Sequence, residues 1–75
     1  MPFIRVYAYS GRSLEVKQQA AEALVKAASE ITGAPLSAFS VAFEDVDQER
    51  WETDVREAII DQLGDKLLYD HGELL

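Results

Sequence analysis

Phe3-Ile4-Arg5-Val6-Tyr7-Ala8-Tyr9, followed by Ser10-Gly11-Arg12-Ser13 and a long amphipathic segment, decides the fold. The first run is short and rich in β-branched and aromatic residues, which predicts a strand. Ile4, Val6 and Ala8 project to one side of it, and Phe3, Arg5, Tyr7 and Tyr9 to the other. Both sides are substantially apolar. That predicts a sheet covered twice, by helices on one face and by a partner subunit on the other. The Ser-Gly-Arg-Ser stretch is a turn. Ser13 is a good N-cap for the helix after it, with Glu15 favourable in the first turn. Val16, Ala20, Leu24, Ala27 and Ile31 recur at three- and four-residue steps, as a single buried stripe requires. Lys17, Gln18, Glu22, Lys26 and Ser29 mark the wet face of this helix, which runs to about Thr32 before Gly33 stops it as a C′ residue.

Beyond the connector Ala34-Pro35-Leu36-Ser37-Ala38, the run Phe39-Ser40-Val41-Ala42-Phe43 predicts a second strand. Phe39, Val41 and Phe43 share one side, and small Ser40 and Ala42 the other. A connection that contains a full helix makes a βαβ unit, so the two strands lie parallel. Residues 44–50 are expected to form an acidic loop and residues 51–68 a second helix, with Val55, Ile59, Leu63 and Leu67 as its buried row and Ala58 beside it. Gly64 weakens that helix by about 1 kcal/mol relative to Ala and marks a place for a bend. Residues 69–75 read as a tail whose two terminal leucines either pack on a neighbouring subunit or fray. The fold class is thus α/β (α+β): a single β-α-β-α unit with two parallel strands, one domain over residues 1–75, completed by oligomerisation.

Composition narrows the function classes. A 75-residue core is marginal, and small folds are rescued by disulfides, metals or oligomerisation. There is no cysteine, and His71 is the lone histidine. Disulfides are therefore excluded and a zinc site is disfavoured, which leaves self-association. No stretch approaches the roughly 18 apolar residues of a membrane span. No basic leader precedes an apolar run, so the expectation is a cytoplasmic protein without a membrane partner. The net charge is −7 and unevenly placed: residues 1–43 hold four basic and three acidic side chains, residues 44–75 three basic and eleven acidic. The second half repels a phosphate backbone, which argues against nucleic acid, and its acids read as a solvated face. Glu44, Asp45 and Asp47 lack the glycine and terminal Glu of a calcium loop.

Met1-Pro2 carries the chemistry. Once Met1 is removed, Pro2 has a free secondary amine. A chain-terminal amine titrates at about 7.7–8.0, and desolvation lowers that value. Pro2 can then be a neutral base near neutral pH, as a proton-transfer catalyst needs. While Met1 stays attached, the Pro2 nitrogen is acylated and has no basic lone pair. Pro is allowed at the first position of a strand, and a rigid element holds a reactive group well.

These pieces together resemble the tautomerase superfamily, in its short 4-oxalocrotonate tautomerase-like branch. The resemblance rests on Met1-Pro2 opening a strand, Gly11-Arg12-Ser13 before the long helix, Ala34-Pro35-Leu36 after it, and residues 39–44 as the second strand. The second half departs from the hexameric enzymes, which carry a glycine-containing hairpin where this chain has Gln48-Glu49-Arg50-Trp51 leading into a predicted helix. In that it is similar to the dimeric subgroup whose members are like phenylpyruvate tautomerase.

The resemblance implies keto–enol tautomerisation of a small anionic 2-oxo acid, with Pro2 as general base and no cofactor or metal. It implies self-association, as a homodimer with a hexamer as the alternative, and a site beside Pro2 that borrows residues from neighbours. Arg12 stands where the hexameric enzymes place a carboxylate-binding arginine, and a solvated turn arginine is the equally weighted alternative. Ser40 stands where they place a second, carbonyl-polarising arginine, and this departure unsettles the diacid substrate. Trp51 stands where an aromatic residue closes the pocket, or simply packs at the start of helix two. Arg50 can replace the missing arginine or offset its acidic neighbours. Ser40 and Tyr7 can donate to an enolate oxygen or serve the sheet alone. His71, in the expected tail, is a weak candidate for catalysis. Two competing functions remain: dehalogenation or decarboxylation by protonated Pro2, and a non-catalytic acidic oligomeric adaptor module.

Overall fold

Local sequence signals become regular backbone in the first part of the chain. The computed structural model describes residues 1–75, which form two units, Met1–Asp45 and Val46–Leu75. In the first, strand β1 spans Phe3–Tyr9, helix α1 Leu14–Thr32 and strand β2 Ser40–Val46, with a 3₁₀ turn at Leu36–Ala38. Ser13 caps α1 as expected: its Oγ accepts from the Val16 N–H at 3.2 Å. Gly33 ends it in the left-handed region at φ 79°, and its N–H donates to the Ser29 carbonyl at 2.9 Å. β1 and β2 form a two-stranded parallel sheet. Strand start lies beside strand start, where the Ser40 N–H donates to the Pro2 carbonyl at 3.1 Å.

Two sequence expectations for this unit need correction. β2 starts at Ser40 and runs to Val46, so Glu44, Asp45 and Val46 extend the strand instead of opening an acidic loop. Two ion pairs hold the extension: Arg5 Nε lies 3.2 Å from Glu44 Oε2, and Lys17 Nζ lies 2.6 Å from Asp45 Oδ2. The covered stripe of α1 is also rotated from the expected one. Lys17, Ala20, Ala21, Val25 and Ala28 are the partly covered positions, while Val16, Leu24 and Ile31 stay exposed. Lys17 is the physical reason. Its ion pair to Asp45, with its ammonium 5.9 Å from the Phe43 ring centroid, turns that side of the helix toward β2. Ser29 likewise leaves the wet face, its Oγ donating to the Ala34 carbonyl at 2.6 Å.

The second unit departs further. The expected continuous helix is a series of short turns: 3₁₀ at Gln48–Arg50, π-helical at Glu52–Glu57, then 3₁₀ at Ile60–Gln62 and at Gly64–Lys66. Ile59 breaks the run with φ −123°, and Gly64 takes φ 58°. Glu57, Asp61 and Asp65 lie four residues apart, and like charges at that spacing destabilise a helix. The apolar spacing still holds: Val55 is buried, and Ile59, Leu63 and Leu67 are partly covered. The expected tail is a β-hairpin, β3 at Tyr69–Asp70 paired antiparallel with β4 at Glu73–Leu74. His71 and Gly72, at φ 51° and 82°, form its two-residue loop, the positive-φ geometry that suits the twist of a tight hairpin.

Candidate active site

Pro2 sits half-buried immediately before β1. Its carbonyl is tied to the first amide of β2, so the ladder between the strands fixes the position of the residue. Met1 is fully exposed, clear of the packed side chains. Ser40, the donor of that amide bond, is exposed at the start of β2. Backbone pairing thus brings Pro2 and Ser40 together.

Arg12 is exposed in the turn after β1, where its Nη1 donates to the Tyr9 carbonyl at 3.0 Å. Gly11 makes that turn possible with φ 124°, a conformation few other residues adopt. The Tyr9 carbonyl takes one of the five guanidinium donors, which leaves Arg12 tethered to the strand end and still able to meet an anion. Tyr7 lies on β1 on the same side as Arg5, whose guanidinium carbon is 5.8 Å from the Tyr7 ring centroid.

Arg50 and Trp51 belong to the second unit. Arg50 is held by Asp54, with Nε donating at 2.8 Å and Nη2 at 3.4 Å. The hydrogen bond and then the charge of Asp54 raise the Arg50 pKa, while the same hydrogen bond lowers that of Asp54. Arg50 must leave this partner to grip a substrate carboxylate. Trp51 is half-buried at the start of the π-helical turn.

Sequence reasoning missed the cluster around Arg56. Its Nη1 and Nη2 donate to Asp70 Oδ2 and Oδ1 at 3.0 and 3.1 Å, a bidentate pair. Nη2 also lies 2.9 Å from His71 Nε2, and the His71 N–H donates to Asp70 Oδ1 at 3.1 Å. His71 therefore braces a hairpin turn. Tyr69 and Leu74 flanking a His-Gly pair were the available signal, weaker than Asn-Gly or Asp-Gly.

The comparisons with known proteins agree with one another. Residues 2–64 match the family described as Tautomerase enzyme. A probable tautomerase from Xylella fastidiosa (strain 9a5c) is 38% identical over 72 residues, covering 96% of this chain and 88% of that protein. A 2-hydroxymuconate tautomerase from Comamonas testosteroni is 39% identical over 51 residues, covering 68% of this chain and 81% of that protein. No solved structure matches the chain. No helix is long and apolar enough to cross a membrane.

Proposed function

The chain belongs to the tautomerase family and is an isomerase, and we propose that it interconverts the keto and enol forms of a small 2-oxo acid with Pro2, freed of Met1, as general base. The observation that carries the reading is the placement of Pro2: half-buried, at the head of β1, its carbonyl pinned by the Ser40 amide. Neutral Pro2 removes a proton from the enol oxygen or the α-carbon and returns it at the other site, so no net proton is gained or lost. Arg12 is the first choice for holding the carboxylate, through the paired donors of its guanidinium. The Ser40 hydroxyl meets the oxygen on which charge develops, a role that preorganised donors fill well. Arg50, once released from Asp54, and Trp51 are the further substrate-binding candidates of this reading. Residues 1–75 act as one tautomerase-like domain, in the cytoplasm, as a homodimer with a hexamer as the alternative assembly.

Membership of an enzyme family displaces the adaptor expectation. Chemistry by protonated Pro2, for dehalogenation or decarboxylation, stays a distinct outcome of the test. The experiment follows ketonisation of enol-phenylpyruvate by ultraviolet absorbance, on protein whose Met1 removal is verified by mass, beside Pro2→Ala. Loss of about 10²–10⁴-fold in the variant is the expected result for a general base. Full activity in the variant sinks the assignment. A ¹⁵N titration of Pro2 separates the two chemistries, because base catalysis needs the neutral amine at working pH and acid catalysis the ammonium.

A further inference from the structure

Arg5 stands apart from the other arginines of the chain. Arg50 and Arg56 each give two guanidinium N–H groups to one carboxylate, of Asp54 and Asp70, and Arg12 gives Nη1 to the Tyr9 carbonyl. Arg5 has an acidic neighbour without a hydrogen bond. Its Nε lies 3.2 Å from Glu44 Oε2, and that oxygen, shielded from water, accepts none. The approach runs through Nε, which leaves the fork of Nη groups open. Two aromatic rings flank the cation, with the guanidinium carbon 5.9 Å from the Phe3 centroid and 5.8 Å from that of Tyr7.

Position singles out the same residue. Phe43 and Asp45 of β2 meet Lys17 of α1, so alternation sends Ser40 and Glu44 to the other face of the sheet, with Phe3, Arg5 and Tyr7 of β1. Ser40 is tied to Pro2 through its amide. Arg5 follows Pro2 by three residues, about 10 Å along a strand. Arg12 is tethered to Tyr9, which lies roughly 23 Å from Pro2 on the same count. Arg12 of the same chain therefore does not share a small ligand with Pro2, and the Arg12 of the functional reading comes from a neighbouring copy.

We propose that Arg5 is the residue that reads the 2-oxo group: its Nη fork takes the 2-oxo oxygen and the adjacent carboxylate oxygen of the substrate, beside the Ser40 hydroxyl. The proposal rests on the functional reading for a site beside Pro2, and adds the side chain that tells a 2-oxo acid from a plain carboxylate. A guanidinium fork presents two parallel donors in one plane, and the neighbouring oxygens of a 2-oxo acid offer two acceptors in one plane. Ser40 supplies a hydroxyl and no charge, so the positive charge at this end of the sheet comes from Arg5. As the proton leaves the α-carbon, negative charge grows on the 2-oxo oxygen, and a cation already held there stabilises it. Glu44 is the competing partner. It holds Arg5 by charge through a shielded oxygen, and a shielded oxygen that accepts no hydrogen bond makes a weak hold. Arg5 thus turns to a ligand without breaking a hydrogen bond to Glu44, whereas Arg50 must give up two to Asp54.

The test compares phenylpyruvate with 3-phenylpropanoate, which keeps the skeleton and the carboxylate and lacks the 2-oxo group. Binding to Met1-free protein is followed in ¹H–¹⁵N spectra at the Phe3 and Ser40 amides and at the Arg5 Nε–H, so the readout does not depend on turnover. The parent is expected to bind phenylpyruvate about tenfold more tightly, with the Arg5 Nε–H moving for that ligand and not for the other. Arg5→Met is expected to abolish the preference and leave 3-phenylpropanoate binding within about twofold of the parent's. Arg5→Lys keeps the charge without the fork and should fall between. Glu44→Gln removes the competing carboxylate. It should tighten phenylpyruvate binding several-fold where Arg5 is present and not in Arg5→Met/Glu44→Gln, a coupling that a merely structural Arg5 does not produce. Circular dichroism identifies an unfolded variant. If Arg5→Met is unfolded, Arg5→Met/Glu44→Gln, which leaves no unpaired charge, replaces it against Glu44→Gln, and the Nε–H shift in the parent needs no variant. Equal binding of the two ligands by the parent, an Arg5 Nε–H that ignores phenylpyruvate, a preference that survives loss of Arg5, or the same gain from Glu44→Gln in both backgrounds overturns the role of Arg5. Those outcomes leave the Pro2→Ala assay untouched. Full activity of Pro2→Ala overturns the general base and leaves the binding results standing.

Discussion

Residues Met1–Asp45 and Val46–Leu75 are stabilised in different ways. The first unit is built from local instructions. Ser13 starts a nineteen-residue helix, Gly33 stops it, and flanking strands of seven residues pair through their backbones. The second unit has no helical turn longer than six residues, and its strands have two residues each. Side chains far apart in sequence hold it: Arg56 reaches fourteen positions ahead to Asp70, and Val55 supplies the buried centre. Backbone regularity and long-range side-chain contacts are thus alternative routes to order in one short chain. The second is used where like charges spoil a helix.

The largest effect on this contrast comes from Val55→Ala. Val55 is 3% exposed, and removing two buried carbons destabilises by about 2 kcal/mol once the cavity is included. At fixed protein concentration that corresponds to a fall in Tm of roughly 10 °C for a domain this size. Amide exchange should accelerate first across residues 46–75, with the α1 amides keeping their protection. Equal acceleration in both units would show that Val55 supports the whole chain and that the two regions do not differ in the way described.

The same contrast explains what could be read in advance. β1 and α1 followed from alternation, a cap and a stop, each encoded within a few residues. The parallel sheet followed from the length of the connection. The rotation of α1 did not, because alanine and valine occupy two adjacent strips and the choice falls to Lys17, whose partner Asp45 is twenty-eight positions away. In the second unit the row Val55, Ile59, Leu63 and Leu67 was legible as apolar spacing, but spacing near four residues fits several helical turns as well as one helix. The hairpin depends on an arginine that no local pattern connects to Asp70. At the candidate site, Pro2 was legible because its position at the head of a strand is local. The ties of Arg50 to Asp54 and of Arg12 to Tyr9 are also short-range, yet which acceptor each arginine takes depends on turn geometry that composition does not encode.

Ser13→Ala sharpens the comparison from the other side. Loss of an N-cap hydroxyl costs about 1 kcal/mol, and here it frees the Val16 amide. Exchange should quicken at the first turn of α1 and leave the hairpin signals of Tyr69 and Leu74 in place. Gly would be the milder substitution, because it caps nearly as well as the polar residues. A variant that disturbs the hairpin as much as the helix would contradict the local origin of order in the first unit.

The smallest effect is a response to acid confined to the second unit. The hydrogen bond from Arg56, and then its charge, hold the Asp70 carboxyl below its ordinary value. Because the folded value lies below the unfolded one, the pair contributes fully above roughly pH 4, the region of an unperturbed aspartate. That contribution disappears as pH falls through the folded value. Between pH 5 and 7 it is constant. Amide chemical shifts of Tyr69, His71 and Leu74 followed down to pH 2 should therefore change together below pH 4, as Arg56 loses its carboxylate and the loop with positive φ at His71 loses its brace. In Asp70→Asn the low-pH transition should vanish, while the hairpin is already loosened at pH 7. A midpoint above pH 5, or the same acid transition in the Asn variant, would assign the proton to another group and remove Asp70 as the anchor of the hairpin.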